Sequence, residues 1–210
     1  MRWQHPSLGL LPPAEFITLA EESNLIAPLG QWVLGEAIRV AAHARHTQAS
    51  PPRIWVNLSV HQLQDDGFFA TVQQLLQCHQ LPGTALGLEI TESVLARDLG
   101  RTRDTLKALR ALGISVAIDD FGTGYSSLTY LAQFPVDAVK IDRSFICGLD
   151  HHSTRRESFA IIAAVVGLAH ALNLDVIAEG IETISQQQAL HGLGCHYGQG
   201  FLLGRPAPQL

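Results

Sequence analysis

Short apolar runs alternate with longer stretches whose apolar residues recur every three or four positions along this 210-residue chain. The runs Arg53-Ile54-Trp55-Val56-Asn57-Leu58-Ser59, Ala85–Thr91, Ile114–Ile118, Ala138–Asp142 and Leu174–Glu179 are short and bounded by turn residues, which predicts buried strands. Helical spacing predicts helices over about Gln31–Arg45, Gly67–His79, Leu99–Leu112, Ser126–Gln133, Thr154–Leu172 and Ser185–Leu193. Val33, Leu34, Ala37, Ile38 and Ala41 share one face of the first of these, and Ile161, Ile162, Val165, Val166 and Leu168 form a core stripe on the fifth. Pro12-Pro13, with acids soon after, marks an earlier helix start. A short segment at Tyr197–Phe201 follows the last helix.

Strands that are apolar throughout and alternate with helices predict an α/β fold with a parallel sheet covered by helices. The sheet closes as a (β/α)8 barrel or stays open and doubly wound. Asn57, Glu89, Asp119-Asp120, Lys140 and Glu179 each fall at or near the C-terminal end of a different strand, which favours the barrel. A barrel brings its strand ends around one axis, whereas an open sheet spreads them across its width. About six βα units are countable, so closure needs more at the N-terminus. One domain over 1–210 accounts for the length.

Composition narrows the class. The chain is 47% hydrophobic and 16% charged, with a net charge of −5, so nothing draws it globally to a nucleic acid polymer or to anionic lipid. The longest apolar stretch, Phe159 to Ala171, is interrupted by Gly167 and His170, and Met1–Pro6 lacks a secretory apolar region. The three cysteines have no metal-binding or disulfide spacing, and the expected compartment is the cytoplasm. The ten histidines are scattered and read as surface or helix-end residues.

The chemistry concentrates at Asp119-Asp120-Phe121-Gly122-Thr123-Gly124. Paired carboxylates closing a strand, followed by glycines, suit a divalent-metal site, and equally an Asx turn with one capping Asp. Asn57, Glu89, Asp119, Asp120 and Glu179 offer only hard oxygen ligands, which suit Mg²⁺ or Mn²⁺. Two ions fit if Asp119 bridges them, and two-metal sites serve phosphodiester displacement. Lys140 can orient the attacking water or neutralise a phosphate, or it can form an ordinary buried pair with Asp142, two residues on along the strand. Glu92 either anchors the glycine loop or is solvated. Asp120-Phe121-Gly122 spells a kinase motif, but no His-Arg-Asp loop precedes it.

Trp55–Ser59, Leu88–Ser93, Ile118–Leu128, Val139–Phe145, Ala178-Glu179-Gly180-Ile181-Glu182 and Gly198-Gln199-Gly200-Phe201 together resemble, in order, successive motifs of the EAL domain family. The resemblance implies a modified TIM barrel whose first strand runs antiparallel. It also implies a phosphodiesterase that linearises cyclic di-GMP to pGpG with Mg²⁺ or Mn²⁺. By that resemblance Asn57, Glu89, Asp119, Asp120 and Glu179 are metal ligands, Lys140 assists the water, Gln199 lines the site and Glu92 holds the glycine loop. It further implies a homodimer through about 126–135, a segment carrying Leu128, Tyr130, Leu131 and Phe134, and a sensor or GGDEF-type domain upstream in a longer protein.

Arg2-Trp3 followed by His5-Pro6 resembles the end of the family's Glu-x-Leu-x-Arg motif, which assigns Arg2 to a substrate phosphate. The Glu of that motif would precede Met1, with most of the first strand and the preceding helical unit. The expectation is a fragment or mis-started version of a longer protein, or a degenerate member. Two functions follow: a metal-dependent cyclic di-GMP phosphodiesterase, or a catalytically impaired module that binds the nucleotide or a partner protein.

Overall fold

The computed structural model describes residues 1–92, 98–123, 131 and 133–207, and its chain divides into two compact units. The first comprises Met1–Leu88 and Ala111–Ile114. It opens with a hairpin in which β1 (Trp3–His5) pairs antiparallel with β2 (Gly9–Leu11) as a separate two-stranded sheet. The expected first-barrel-strand residues therefore take β2 as their partner. The turn is fixed locally, because His5 Nδ1 accepts from the Ser7 and Leu8 backbone N–H groups.

Helix α1 (Ile17–Glu22) ends before Asn24, whose left-handed φ of +57° separates it from α2 (Ile26–Thr47). Of the stripe read from the sequence, α2 buries Leu34, Ile38 and Ala41 and leaves Val33 and Ala37 half-buried. Strand β3 covers Ile54–Asn57 and stops short of the expected Ser59. Ser59 instead caps the short α3 (Val60–Leu63) through a reciprocal box with Gln62, which consumes the N–H groups a longer strand would need. Helix α4 (Phe68–Cys78) and the first half of β4 (Leu86–Thr91) follow.

The second unit comprises Glu89–Arg110 and Ser115–Leu210. After β4 come α5 (Leu99–Ala111), β5 (Ser115–Phe121), β6 (Ala138–Ile141), α6 (Arg143–Gly148), α7 (Arg155–Ala171), β7 (Asp175–Glu179), α8 (Ile184–Gly192) and β8 (Tyr197–Gln199). The helix expected over 126–133 lies largely outside the described residues. Strand neighbours follow chain order from β3 to β8, and β5–β6, β6–β7 and β7–β8 are parallel. A doubly wound sheet reverses its order at a switch point; strict succession is the order of a TIM barrel. The fold is mixed α/β of that TIM-barrel type.

Burial explains the strands. Val116, Ala117, Val139, Ile141 and Ala178 are essentially inaccessible, and α7 covers the sheet with Ile162, Val165, Val166 and Ala169 at helical spacing. At the N-terminal end of the strands, Asp137 joins three of them. Its carboxylate accepts from Val116 N–H (2.9 Å) and pairs with Arg110 (2.5 Å), while its carbonyl accepts from Asp175 N–H. Contacts at that end of such a sheet serve stability; chemistry gathers at the other.

β5 breaks its register on β6 between Ile118 and Phe121, where Asp120 takes a φ of +53°. In a regular strand, adjacent side chains point to opposite faces. The left-handed residue breaks that alternation. Asp is among the few non-glycine types that tolerate it.

Candidate active site

Four strands of the second unit each carry chemically active side chains within two residues of their C-terminal end: Glu89 on β4, Asp119 and Asp120 on β5, Lys140 on β6 and Glu179 on β7. Gln199, the last residue of β8, lies opposite Glu179 in the β7–β8 register. The alternation places Lys140 among acids. Its Nζ lies 2.8 Å from Glu89 Oε2, 3.0 Å from Asp119 Oδ1 and 2.5 Å from Glu179 Oε1. An ammonium has three donors, and three carboxylates take them. The lysine side chain is 3% exposed and the acids 10%, 12% and 14%, so water screens these contacts poorly.

One cation against four carboxylates, Asp120 included, leaves the site with surplus negative charge. Burial raises the Glu89 carboxyl above its ordinary range; Lys140 opposes the rise, and Asp119 and Asp120 add to it. Glu179 is raised for the same leading reason, again against Lys140. Burial, then the neighbouring Asp119 and Asp142 charges, raises Asp120. Burial works to lower Lys140, but the charges and hydrogen bonds of Glu89, Glu179 and Asp119 override it and hold the ammonium protonated. A group so held is a donor and a positive charge at neutral pH, not a base.

One carboxylate oxygen from each of Asp119, Asp120 and Glu179 lies within 4.8 Å of the other two. That all-oxygen set, carrying more charge than Lys140 offsets, fits a hard divalent cation. The kink at Asp120 makes the grouping possible. Asp120 N–H also donates to Asp119 Oδ1 (3.0 Å), fixing that carboxylate's rotation. Gln199 Nε2 donates to Glu179 Oε1 (2.6 Å), so the last strand steadies the Glu179 carboxylate.

Other residues expected at the site have different placements. The buried Lys140–Asp142 pair does not form. Asp142 lies one residue past β6 and caps α6, accepting from the Ser144 N–H (2.9 Å) and hydroxyl. Asn57, exposed at the end of β3, and Arg2 belong to the first unit. Glu92 stands directly after β4, and the glycine loop it was expected to hold continues from Gly124 outside the described residues. Of the apolar residues in the expected pairing segment, Leu131 and Phe134 are buried within the chain.

Beside the acids lies a cavity of about 650 Å³ lined by Glu179, Gly180, Glu182, Gln199, Arg143, Phe201 and Arg205, among others. Arg143 pairs with Glu182 (2.6 Å), and the Arg205 guanidinium sits 4.9 Å from the Phe201 ring centre. Sequence reasoning missed Arg143, Glu182 and Arg205 as site residues. Their signal was positional: they stand three to six residues after Lys140, Glu179 and Gln199, past the strand ends where a barrel builds its sites.

Residues 1–206 match the family model of the EAL domain. MucR of Pseudomonas aeruginosa, a bifunctional diguanylate cyclase/cyclic di-GMP phosphodiesterase, is 45% identical over 208 residues, which are 99% of this chain and 30% of that protein. PdeR of Escherichia coli, a cyclic di-GMP phosphodiesterase, is 40% identical over 208 residues, 99% of this chain and 31% of that protein. The solved c-di-GMP complex of the PaMucR phosphodiesterase superposes with a TM-score of 0.93 at 45% identity, covering 99% of this chain and 83% of that one. The chain thus spans about a third of the length of these curated relatives. No helix among the described residues is long and apolar enough to cross a membrane. By sequence over its whole length and by fold, the chain belongs to the EAL domain family.

Proposed function

We propose that this chain hydrolyses cyclic di-GMP to linear pGpG, supported by Mg²⁺ or Mn²⁺. The observation that carries the reading is the buried Lys140 ammonium held by Glu89, Asp119 and Glu179 beside the Asp119–Asp120–Glu179 oxygen cluster. Asp119, Asp120 and Glu179 would hold the metal, with Glu89 and Asn57 completing the ligand set, and two ions are expected. A bound divalent ion acidifies water and neutralises charge on the phosphate.

The chain's own groups do the rest. The nucleotide occupies the cavity along Glu179, Gln199 and Arg143, whose volume suits a ligand of that size. Lys140, whose three donors are held by carboxylates, assists the attacking water and the phosphate as a preorganised positive charge. Water oxygen bonds to phosphorus and gives a proton to a neighbouring carboxylate, the bond from phosphorus to one ribose 3′ oxygen breaks, and that oxygen takes up one proton, returned by the carboxylate or by solvent. The products are one 5′ phosphate and one 3′ hydroxyl. Gln199 orients Glu179, Arg2 is assigned to a phosphate, and Glu92 to the loop.

Incubation of the purified chain with cyclic di-GMP and Mn²⁺ or Mg²⁺, followed by chromatography, tests this directly. pGpG should accumulate with either ion and stop in excess EDTA. Calorimetric binding of cyclic di-GMP with no pGpG formed under any of these conditions would replace the enzyme with the binding module.

A further inference from the structure

Gln186 is 3% exposed and uses every hydrogen-bonding position of its side-chain amide. Its Oε1 accepts from the N–H groups of Glu182 (2.7 Å) and Thr183 (3.1 Å); its Nε2 donates to Ile146 O (3.3 Å) and Asp150 Oδ2 (2.9 Å). The oxygen, with the Thr183 hydroxyl, forms the capping box of α8. A cap needs nothing more. The two Nε2 donors are surplus to capping, and they go to Ile146 in the last turn of α6 and to Asp150 two residues beyond it.

That surplus closes a frame. The turn from Gly180 to Thr183 follows Glu179 directly, and α6 begins three residues after Lys140. At the near end of α6, Arg143 pairs with Glu182, and its side chain packs where Gly180 would carry a Cβ (2.3 Å from Arg143 Cγ). Gly180 also has a φ of +72°, so no other residue fits there without strain. At the far end Gln186 supplies the second anchor, joined by the longer contact of the Thr183 hydroxyl on Asp150 Oδ2 (3.3 Å). Between them, Ile181 N–H donates to Gln199 O and Ile181 O accepts from Leu202 N–H, so the turn also carries the strand end that holds Gln199.

We propose that Gln186 is a positioning residue for the active site, fixing the Gly180–Thr183 turn to α6 so that Glu179 stays against Lys140 and Gln199. It touches neither the acids nor the cavity; it acts through the turn. The inference rests on the phosphodiesterase reading for its kinetic arm only.

The experiment exchanges the polarity of one bond. Gln186→Glu keeps the two acceptor contacts but sets a carboxylate against Asp150; adding Asp150→Asn returns a donor to that position and leaves only Ile146 O without one. Misplacement on the ångström scale costs up to about 10²-fold in rate, so Q186E should lower kcat by tenfold or more while KM moves less than about threefold. The double variant should recover most of the loss. Amide exchange reads the same frame without turnover. Ile181, Glu182 and Leu202 should exchange about tenfold faster in Q186E and slow again in the double variant, a difference of roughly 1.4 kcal/mol in local opening. Wild-type exchange in Q186E, or a double variant no better than the single, overturns the proposal. Should Q186E fail to fold, Asp150→Ala alone must raise exchange at Glu182, and unchanged protection there overturns it equally. An inert wild type with the exchange pattern intact would refute the enzyme reading and leave the frame standing.

Discussion

Lys140→Met separates charge compensation from packing, because methionine keeps most of the side chain's volume and removes the ammonium. Three carboxylates, each 10–14% exposed, then lose their shared partner. Removing one member of a buried ion pair costs about 3–5 kcal/mol. The three contacts share one ammonium and are not additive, so the total should stay near that range and not triple it. The sign with pH is fixed. In the variant the folded-state pKa values of Glu89 and Glu179, already raised by burial, lose the lysine that opposed the rise. Carboxylates raised in the folded state add stability below their unfolded pKa, and it is lost as pH rises through the folded value. The variant should therefore trail the wild type most at pH 7.5 and regain about 1.4 kcal/mol per pH unit for each proton taken up on acidification. Urea unfolding followed by far-ultraviolet circular dichroism in EDTA, at pH 7.5, 6.5 and 5.5, reads the gap. A variant as stable as wild type at pH 7.5, or a gap that widens toward pH 5.5, would refute the account of the site as over-charged around one lysine.

Glu89→Gln should lower pGpG formation by roughly 10²-fold or more with little change in melting temperature, since the amide still accepts from Lys140 but carries no charge; a wild-type rate would make Glu89 structural. Asp137→Ala should cost about 2 kcal/mol in urea unfolding, chiefly through the Val116 N–H left without its acceptor, with the half-exposed Arg110 pair adding little, and should leave kcat unchanged. Cys195 has its thiol pushed up to about 11 from 9.0, mainly by burial. Its neutral form therefore stabilises the fold below pH 9, and that contribution, at most about 2–3 kcal/mol, is lost between pH 9 and 11. Cys195→Ala should flatten the stability curve over that window, and parallel curves would count against the assignment.

Much of this molecule was legible because its central strands, β4 to β6, are largely buried. A run such as Ala138-Val139-Lys140-Ile141 offers no other reading, and its end locates the chemistry. Short elements were not legible. α3 has four residues and α6 six, too few for a periodic pattern, and the hairpin at the start depends on a histidine ring nitrogen. The Lys140–Asp142 pair failed for a related reason. Two-residue spacing implies a shared face only while the strand lasts, and β6 ends at Ile141. Gln186 stands beside Gln187 and Gln188, and only the rotation of α8 buries the first while exposing its neighbours.

The left-handed backbone at Asp120 has a consequence for mutational scanning. Most L-residues incur about 1–2 kcal/mol in that conformation, and Asp and Asn are among the exceptions. An alanine at 120 therefore removes a carboxylate and strains the kink together, and its deficit overstates what the carboxylate does. Asparagine keeps the backbone and deletes only the charge; glycine keeps the backbone and deletes the side chain. Comparing those two with alanine divides position 120 into ligand and hinge, and a library scored on alanine alone would assign both effects to metal binding.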